Sequence, residues 1–458
     1  MPWAPSSGSG RISRVKKAVT LGPHLLSVEP GGKLAGRLRV PGDKSISHRA
    51  LMLGAIAEGV TEIRGFLEGE DTLATLQAFE SMGVRIERLG AGGVRIHGVG
   101  LHGLQPAPGP IDLGNSGTSM RLMTGLLAGQ SFDTELTGDE SLSKRPMIRI
   151  IEPLRRMGAR IECSAAGTPP VTVFGGARLR GIDYDMPVAS AQVKSGILLA
   201  ALYARGRTCV REALASRDHS ERMLGRFGCR IQRQDGAVCM RGQARLAGAD
   251  VNVPADLSSA AFFIVGATIA RGSDLVLEEV GVNPTRIGMI EILRRMGADI
   301  ELQDKREEGG EPVANVCVRA SDLCGIRIPG DLVPAAIDEF PVLFIAAACA
   351  RGETLLEGAE ELRYKESDRI SSMAESLKAL GIEARPTPDG MRIRGAAIQG
   401  GRVESGGDHR VAMAFAIAGL RAEGRIVIAD CAMITTSFPN FLTLAREAGL
   451  RITAGGGP

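Results

Sequence analysis

Six copies of one local pattern run through this chain of 458 residues, and they constrain its fold more than any other feature. In each copy a helix-like segment ends in a glycine, and a short strand-like segment follows it. These glycines, 68 to 84 residues apart, are Gly83, Gly158, Gly228, Gly297, Gly381 and Gly449. A glycine directly after a helix fits the left-handed C′ position at little cost. The spacing predicts six related units of about 70 residues.

A second series of glycines precedes the first by 22 to 29 residues in every unit. Its members are Gly59, Gly129, Gly206, Gly272, Gly352 and Gly424. The segments before four of them, residues 191–204, 260–270, 340–350 and 411–420, are apolar on nearly every side, which is typical of buried helices. Each unit is therefore predicted as a buried helix, a strand, an exposed helix, a strand and a connecting strand. Six units predict two α/β domains of three units each, divided near residues 253–256.

Composition and charge exclude several classes of protein. With 44% hydrophobic and 23% charged residues the chain is globular, and a net charge of +3 indicates neither a nucleic-acid nor a membrane-surface partner. The longest apolar stretches are about half of the ~20 residues that span a bilayer. The eight cysteines form no CxxC pair, which favours reduced thiols in a cytoplasmic protein over a disulfide framework or a metal site. Residues 1–28 are predicted to be a flexible basic leader rather than a transit peptide.

Polar clusters interrupt the pattern where the first three units open. Residues 41–49 read PGDKSISHR, which places Lys44, Ser45 and Arg49 at a strand-to-helix turn beside Gly42. Because a helix N-terminus presents free N–H groups, added cations make it an anion site. The other clusters of this half are LGNSGTSMR at 113–121, SKRP at 143–146, SAQVKS at 190–195 and SRDH at 216–219.

The last units carry acids among their cations. The segments are AIDEFP at 336–341, YKESDR at 364–369 and DHR at 408–410. Each segment alone is equally consistent with a helix cap or a solvated charged turn. Together they place six cations at helix starts: Lys44, Arg49, Arg145, Lys365, Arg369 and Arg410. A cationic cleft in a near-neutral protein indicates substrates with two or more anionic groups, and Asp338 and Glu366 are candidates for proton transfer.

In this order the segments, together with residues 436–441, resemble those of the enolpyruvyl transferases, and within that family the branch that acts on shikimate 3-phosphate. The match covers residues 32–449. The resemblance implies an inside-out α/β barrel with buried helices, built from βαβαββ-like repeats. The first domain would be residues 43–254, the second would combine 29–42 with 255–458, and the active site would lie in the cleft between them.

The resemblance also implies the reaction. The enolpyruvyl group of phosphoenolpyruvate would pass to the 5-hydroxyl of shikimate 3-phosphate by addition–elimination through a tetrahedral ketal, with release of phosphate, in the shikimate pathway to chorismate. No cofactor and no metal are implied, and the protein is expected to be a monomer. Asp338 would be the base at the hydroxyl. Lys44 and Glu366 would exchange the proton at C3, and the division of work between them stays open.

Two sets of ligands follow from the same resemblance. Shikimate 3-phosphate would contact Lys44, Ser45, Arg49, Ser190, Ala191, Gln192, Arg217, Asp338 and Lys365. Phosphoenolpyruvate would contact Lys44, Asn115, Gly117, Arg145, Gln192, Glu366, Arg369 and Arg410. This chain departs from many family members at Thr436, where a lysine is common, and at Ala191, where a serine is common. Tolerance of glyphosate in the family is linked to alanine at the position of Gly117, so Gly117 predicts inhibition by glyphosate.

Three other interpretations remain open at this point. The branch of the family that acts on UDP-N-acetylglucosamine usually has a cysteine in a mobile glycine-rich loop and Lys-Asn where Lys44 and Ser45 stand. A non-catalytic repeat scaffold gives no reason for so many charged residues to converge. RNA 3′-phosphate cyclases have related units, but this chain shows neither their adenylylated histidine motif nor a basic face.

Overall fold

Six buried helices, one from each predicted unit, form the interior of the computed structural model, which describes residues 24–455. They are Lys44–Ile56, Gly117–Leu127, Ala191–Ala201, Leu257–Ile269, Phe340–Cys349 and His409–Ala418. Small residues allow close packing among them: a Cβ added to Gly125 would lie 2.0 Å from the carbonyl oxygen of Gly196 on the neighbouring helix. The prediction of buried helices in the third to sixth units is confirmed.

A polar cap begins most of these helices. The side chains of Asp43, Ser116, Ser190, Asp256 and Asp408 each accept a hydrogen bond from a backbone N–H of the first turn. Such caps satisfy N–H groups that have no partner inside the helix. The capped ends therefore present polar groups beside otherwise apolar helices.

A second helix of each unit lies on the surface with one face buried. These helices are Glu70–Ser81, Ile148–Arg156, His219–Arg226, Gly288–Met296, Arg369–Ala379 and Phe441–Ala448. The six glycines of the first sequence series follow them, and all six have positive φ, between 83° and 115°. The predicted left-handed helix ends are confirmed. A short helix, Val333–Ala336, and 3-10 turns at Leu142–Lys144, Gly330–Leu332, Glu360–Tyr364, Gly419–Arg421 and Cys431–Thr436 complete the helical elements of residues 24–455.

The strands of residues 24–455 form six separate sheets rather than one closed barrel. Three sheets belong to the first half, and the first has the strand order Asp250–Asn252, Glu58–Arg64, Gly93–Val99, Arg85–Gly90. The second has the order Ile111–Asp112, Thr134–Thr137, Val171–Phe174, Arg160–Cys163. The third has the order Asp183–Asp185, Arg207–Arg211, Ala237–Arg241, Ile231–Gln234. In each of these sheets the first pair is parallel and the other pairs are antiparallel. The repeated order shows that the three units share one topology.

Two of the three sheets in the second half repeat this arrangement, and the other has three strands in antiparallel pairs only. The second half also takes in the start of the described chain. Its first sheet has the strand order Asp299–Glu308, Glu311–Arg319, Asp274–Gly281, Ala35–Leu38. The second has the order Glu353–Leu356, Gly390–Arg394, Glu383–Thr387. The third has the order Gly401–Glu404, Ile426–Ala429, Leu25–Val28, Ile452–Gly455. Leu26 pairs with Ile428 on one side and with Ala454 on the other. The fold is therefore mixed α/β, with helices enclosed by sheets.

Two large hydrophobic cores occupy the described chain. One contains buried residues between Ile46 and Val253, and the other contains residues between Leu26 and Val40 together with residues from Ala255 to Ile452. On this basis we propose two domains, residues 43–254 and residues 29–42 with 255–458. Leu25–Val28 is a strand of the second core, so the predicted leader is wrong for these four residues. Residues 1–23 of that leader lie outside the described residues.

The prediction of eight reduced thiols is wrong for one pair. Cys209 and Cys239 form a disulfide, with Cα atoms 4.1 Å apart. They are direct partners in the antiparallel strands Arg207–Arg211 and Ala237–Arg241, which places their side chains on the same face of the sheet. The sequence hid the pairing because 30 residues separate the two cysteines. Among the described helices, none is both long and apolar enough to cross a membrane.

Candidate active site

A cavity of about 170 Å³ lies between the capped ends of the buried helices of both halves. Thirteen of the fifteen predicted site residues line it: Lys44, Ser45, Arg49, Arg145, Ser190, Ala191, Gln192, Arg217, Asp338, Lys365, Glu366, Arg369 and Arg410. These residues come from five of the six units, all but the fourth, so tertiary folding brings together segments that are far apart in sequence. We refer to this cavity as the cleft.

Two ion pairs cross the cleft from one half to the other. Arg217 Nη2 donates to Asp338 Oδ2 at 2.6 Å, and Arg145 Nη1 lies 3.7 Å from Glu366 Oε1. These four side chains are largely buried, with 11 to 21% of each exposed. The first pair joins the turn before helix His219–Arg226 to the segment before helix Phe340–Cys349. The second joins the residue after the 3-10 turn Leu142–Lys144 to the segment before helix Arg369–Ala379. At two points in the cleft, therefore, a cation of the first half meets an acid of the second.

Asp338 lies among four cations. Besides Arg217, Lys365 Nζ lies 3.5 Å and Arg369 Nη1 3.8 Å from Asp338 Oδ1, and Arg410 Nη1 donates to the backbone carbonyl of Asp338 at 2.8 Å. Burial alone raises the pKa of this carboxyl, but the surrounding cations outweigh burial and hold its pKa well below the usual value. The carboxylate is therefore ionised in the free protein.

Arginine side chains also surround Glu366, the acid of the second ion pair. Arg369 Nη2 donates to Glu366 Oε2 at 2.6 Å, and Arg369 Nε donates to Asp408 Oδ2 at 2.8 Å. Burial raises the pKa of Glu366, whereas Arg369 and Arg145 lower it, and the net effect is a pKa well below the usual value. Arg369, 1% exposed, is thus fixed by two carboxylates.

The helix Lys44–Ile56 supplies two further cations. Lys44 Nζ donates to Asp71 Oδ2 at 3.0 Å, so its ammonium is held by the outer helix of the same unit. Arg49 donates to the hydroxyls of Ser220 and Ser195, at 2.7 and 2.8 Å. Burial lowers the pKa of Arg49 to about 10, although Glu221 opposes this shift. The guanidinium remains charged near neutral pH.

Two predicted residues do not line the cleft. Asn115 lines a neighbouring cavity of about 580 Å³, and its Oδ1 accepts a hydrogen bond from Arg145 Nη2 at 2.6 Å. Gly117 begins the helix Gly117–Leu127 behind the cleft wall; a Cβ on it would lie 2.8 Å from Arg121 Nη1 and 3.2 Å from Arg145 Nη1. Both residues are therefore neighbours of Arg145, which lines the cleft.

Sequence reasoning missed several lining residues, of which Arg121 is the clearest. Its Nη1 donates to Gln192 Oε1 at 2.7 Å and its Nη2 to the carbonyl of Pro146 at 3.0 Å. Within residues 24–455 no carboxylate lies within 4.0 Å of it, and burial together with Arg145 lowers its pKa to about 10. Its spacing of four residues from Gly117 in a helix could have revealed it. Other missed residues of the lining are Thr118, Arg149, Ser258, Arg286, Glu361 and His409.

Thr436 contributes no charge near the cleft. Its Oγ1 donates to the carbonyl of Met433 at 2.7 Å inside its own 3-10 turn, and the residue is 4% exposed. The next residue, Ser437, lines the cleft instead. Among the residues that the structure describes, no group of three or more His, Cys, Asp or Glu side chains could hold a metal ion.

Comparisons with known proteins agree with one another. A family model described as EPSP synthase (3-phosphoshikimate 1-carboxyvinyltransferase) matches residues 28–444. The 3-phosphoshikimate 1-carboxyvinyltransferase of Methylococcus capsulatus is 64% identical over 93% of this chain and 98% of its own length. The solved EPSP synthase of Acinetobacter baumannii is 54% identical with a TM-score of 0.85, covering 94% of this chain and all of that one. The enolpyruvyl transferase NikO from Streptomyces tendae, 18% identical with a TM-score of 0.79 over 95% of this chain and all of that one, shares the fold.

Proposed function

The chain belongs to the EPSP synthase family, and from this premise we propose how its cleft carries out the transfer. Enzymes of this family move the enolpyruvyl group of phosphoenolpyruvate to shikimate 3-phosphate, a step of the shikimate pathway. The family membership favours this reaction over the transfer to UDP-N-acetylglucosamine and over a non-catalytic scaffold. The roles of individual residues described below are our assignments.

The assignments rest on the two ion pairs that cross the cleft, Arg217–Asp338 and Arg145–Glu366. Each pair offers a cation that an anionic substrate can take over. We assign the phosphate of shikimate 3-phosphate to Arg217 and Ser190, with Ser45, Arg49, Ala191 and Gln192 along the same wall. Arginine suits this role because its planar fork binds phosphate in a bidentate manner.

Phosphoenolpyruvate would occupy the end of the cleft with Arg145, Arg369 and Arg410. Its carboxylate and phosphate together carry several negative charges, and three largely buried guanidinium groups would balance them. Asn115 and Gly117 would act here by positioning Arg145. Fixed cations of this kind stabilise charge that develops as phosphate leaves.

Asp338 is assigned as the base that takes the proton of the 5-hydroxyl. In the free protein its pKa is depressed by Arg217 and other cations, which makes it a weak base. When the substrate phosphate takes over Arg217, the carboxylate loses its hydrogen-bond partner and its pKa rises. Binding of the first substrate would thus activate the base, while Lys365 continues to hold it near the ring hydroxyls.

The remaining proton transfer concerns C3 of phosphoenolpyruvate. Lys44 and Glu366 are the candidates, since both line the cleft and belong to opposite halves. A proton must be delivered to C3 as the hydroxyl oxygen attacks C2, and a proton must be removed from C3 as the C2–O bond to the departing phosphate breaks. Holding both substrates in line supplies effective molarity, equivalent to ~7 kcal/mol or more.

The experiment that tests this function follows phosphate release when the purified protein is given shikimate 3-phosphate and phosphoenolpyruvate. UDP-N-acetylglucosamine serves as the control acceptor and is expected to release none. Asp338→Asn should lower kcat by about 10²- to 10⁴-fold, the range for loss of a general base. Asp331→Asn, an exposed acid seven positions earlier, is the matched control and should retain full activity. Equal activity of the two variants would contradict the role of Asp338.

We also propose that the protein acts as a monomer with small-molecule partners and without nucleic acid. The net charge of +3 is near neutral and gives no reason to expect a nucleic-acid partner. Gel filtration in the presence of both substrates should give the mass of one chain, 48.2 kDa. A cytoplasmic location stays a prediction.

A further inference from the structure

A buried arginine lies where the chain crosses between its two halves. The two crossing segments run side by side: Asp43 N donates to the carbonyl of Pro254 at 2.8 Å, and Asp256 N donates to the carbonyl of Pro41 at 2.9 Å. This pairing sets the carboxylates of Asp43 and Asp256 beside each other. Arg286, from the loop between strand Asp274–Gly281 and helix Gly288–Met296, reaches both of them.

The guanidinium of Arg286 contacts three carboxylates and a hydroxyl. Its Nη1 donates to Asp43 Oδ2 and to Asp256 Oδ1, the second at 3.2 Å. Its Nη2 donates to Ser258 Oγ at 2.6 Å and lies 3.8 Å from Glu339 Oε1. Only 4% of the side chain is exposed. Loss of this cation would leave three buried carboxylates without the positive charge that Arg286 supplies.

These contacts join the starts of three buried helices. Asp43 Oδ1 caps helix Lys44–Ile56 by accepting from Ile46 N at 2.9 Å. Asp256 Oδ1 caps helix Leu257–Ile269 by accepting from Ser258 N at 3.1 Å. Glu339 directly precedes helix Phe340–Cys349. One side chain therefore fixes helix ends of both halves relative to one another.

The residues assigned to the reaction are attached to these helix ends. Lys44 directly follows Asp43, and Asp338 directly precedes Glu339. Arg410 Nη1 lies 3.6 Å from Glu339 Oε1 and donates to the carbonyl of Asp338. A shift of Arg286 would therefore move a cation of one half relative to the base and a cation of the other.

We propose that Arg286 is a positioning residue for the transfer, which sets the distance between Lys44 on one half of the cleft and Asp338 and Arg410 on the other. The inference rests on the proposed function. A planar fork that reaches Asp43, Asp256 and Ser258 together cannot be reproduced by an ammonium group. Displacement of reacting groups by about 1 Å can cost about 10²-fold in rate, so a positioning residue affects turnover without touching substrate.

The test compares Arg286→Met and Arg286→Lys with the parent at 20 °C. Circular dichroism confirms folding, and phosphate release gives kcat and the KM of each substrate. We expect kcat to fall about 100-fold in Arg286→Met and about 10-fold in Arg286→Lys, because lysine restores the charge but not the fork. A purely structural contact would lower Tm and leave kcat at 20 °C unchanged.

Leu293→Ala is the matched control for lost stability. Leu293 is fully buried in the helix that follows Arg286, and its truncation should lower Tm while kcat stays within twofold of the parent. A folded Arg286→Lys variant with the kcat and KM values of the parent overturns the inference, whatever the Met variant does. An inactive parent would instead contradict the proposed function, so the two failures are distinguishable.

Discussion

At the residue scale, Arg217 has two partners in this account, Asp338 in the free protein and the substrate phosphate in the complex. Replacing it by glutamine removes a charge-assisted hydrogen bond, worth about 1.5–3 kcal/mol. We expect Arg217→Gln to raise the Kd for shikimate 3-phosphate by about 10- to 100-fold in calorimetry. Arg230→Gln, at an exposed position of the same unit, should bind as the parent does. A Kd for Arg217→Gln within threefold of the parent would contradict the assignment.

Gly117 gives a second prediction at this scale. A Cβ added at this position would crowd the guanidinium groups of Arg121 and Arg145. These groups are the ends of flexible side chains and can move aside. We therefore expect Gly117→Ala to fold normally, to raise the KM for phosphoenolpyruvate and to weaken inhibition by glyphosate at least about tenfold, the cost of about 1.4 kcal/mol.

The control for this change is Gly225→Ala. Gly225 lies in helix His219–Arg226, and a Cβ there meets no atom within 4 Å, so inhibition by glyphosate should equal that of the parent. If Gly117→Ala left the inhibition constant unaltered, or if the parent resisted glyphosate, the prediction made from Gly117 would be wrong.

At the element scale, one buried histidine links the first helices of the chain. His48, on helix Lys44–Ile56, contacts Thr75 Oγ1 through Nδ1 at 2.9 Å and Ser119 Oγ at 3.2 Å. Burial, aided by Lys44 and Arg49, holds the pKa of His48 well below 6.5. The histidine therefore stays neutral in the folded protein at pH values where the unfolded chain takes up a proton.

This difference predicts how stability depends on pH. The folded pKa is the lower one, so the unfolded state binds more protons as pH falls below 6.5, and stability is lost in that direction. This loss is at most about 1.4 kcal/mol for each pH unit below 6.5. His48→Asn keeps an acceptor near Thr75 but cannot titrate, so the fall in Tm from pH 7.5 to 5.0 should be smaller than in the parent. An equal fall in both proteins would show that His48 does not cause it.

The strand pair that carries Cys209 and Cys239 gives another prediction at the element scale. Thiol titration of the denatured, unreduced protein should find the six cysteines that are free in the structure, and reduction should add two. Closing a loop of this length stabilises the fold by about 3–4 kcal/mol in the chain-entropy model, so reduction should lower Tm. Cys209→Ala/Cys239→Ala should show the lower Tm with or without reductant. Eight reactive thiols before reduction would contradict the pairing.

At the scale of the whole molecule, the repeat was visible in the sequence because a helix end needs a residue that tolerates positive φ. Gly83, Gly158 and their four counterparts all have positive φ, so their spacing marks the six helix ends. The cleft was also largely visible, because charged residues at helix starts break an otherwise apolar pattern. The family resemblance then named thirteen residues that the structure brings to one cavity.

Other features depend on tertiary structure and left no local signal. Strand Leu25–Val28 pairs with strands near the end of the described chain. Because this pairing leaves no local signal, the sequence predicted these residues to be part of the leader. Arg286 lies in no motif, and its role arises only because the two crossing segments bring Asp43 and Asp256 together. Asn115 belongs to a matched segment, yet the fold turns it to a neighbouring cavity.

The most direct test of the whole account is a crystal structure of the protein with shikimate 3-phosphate. We predict the phosphate against Ser190 and Arg217, the ring hydroxyls near Asp338 and Lys365, and a distance between the Arg217 guanidinium and the Asp338 carboxylate well beyond the present 2.6 Å. Density for the ligand outside the cleft, or a phosphate held by Arg145 with Arg217 still bonded to Asp338, would contradict the account.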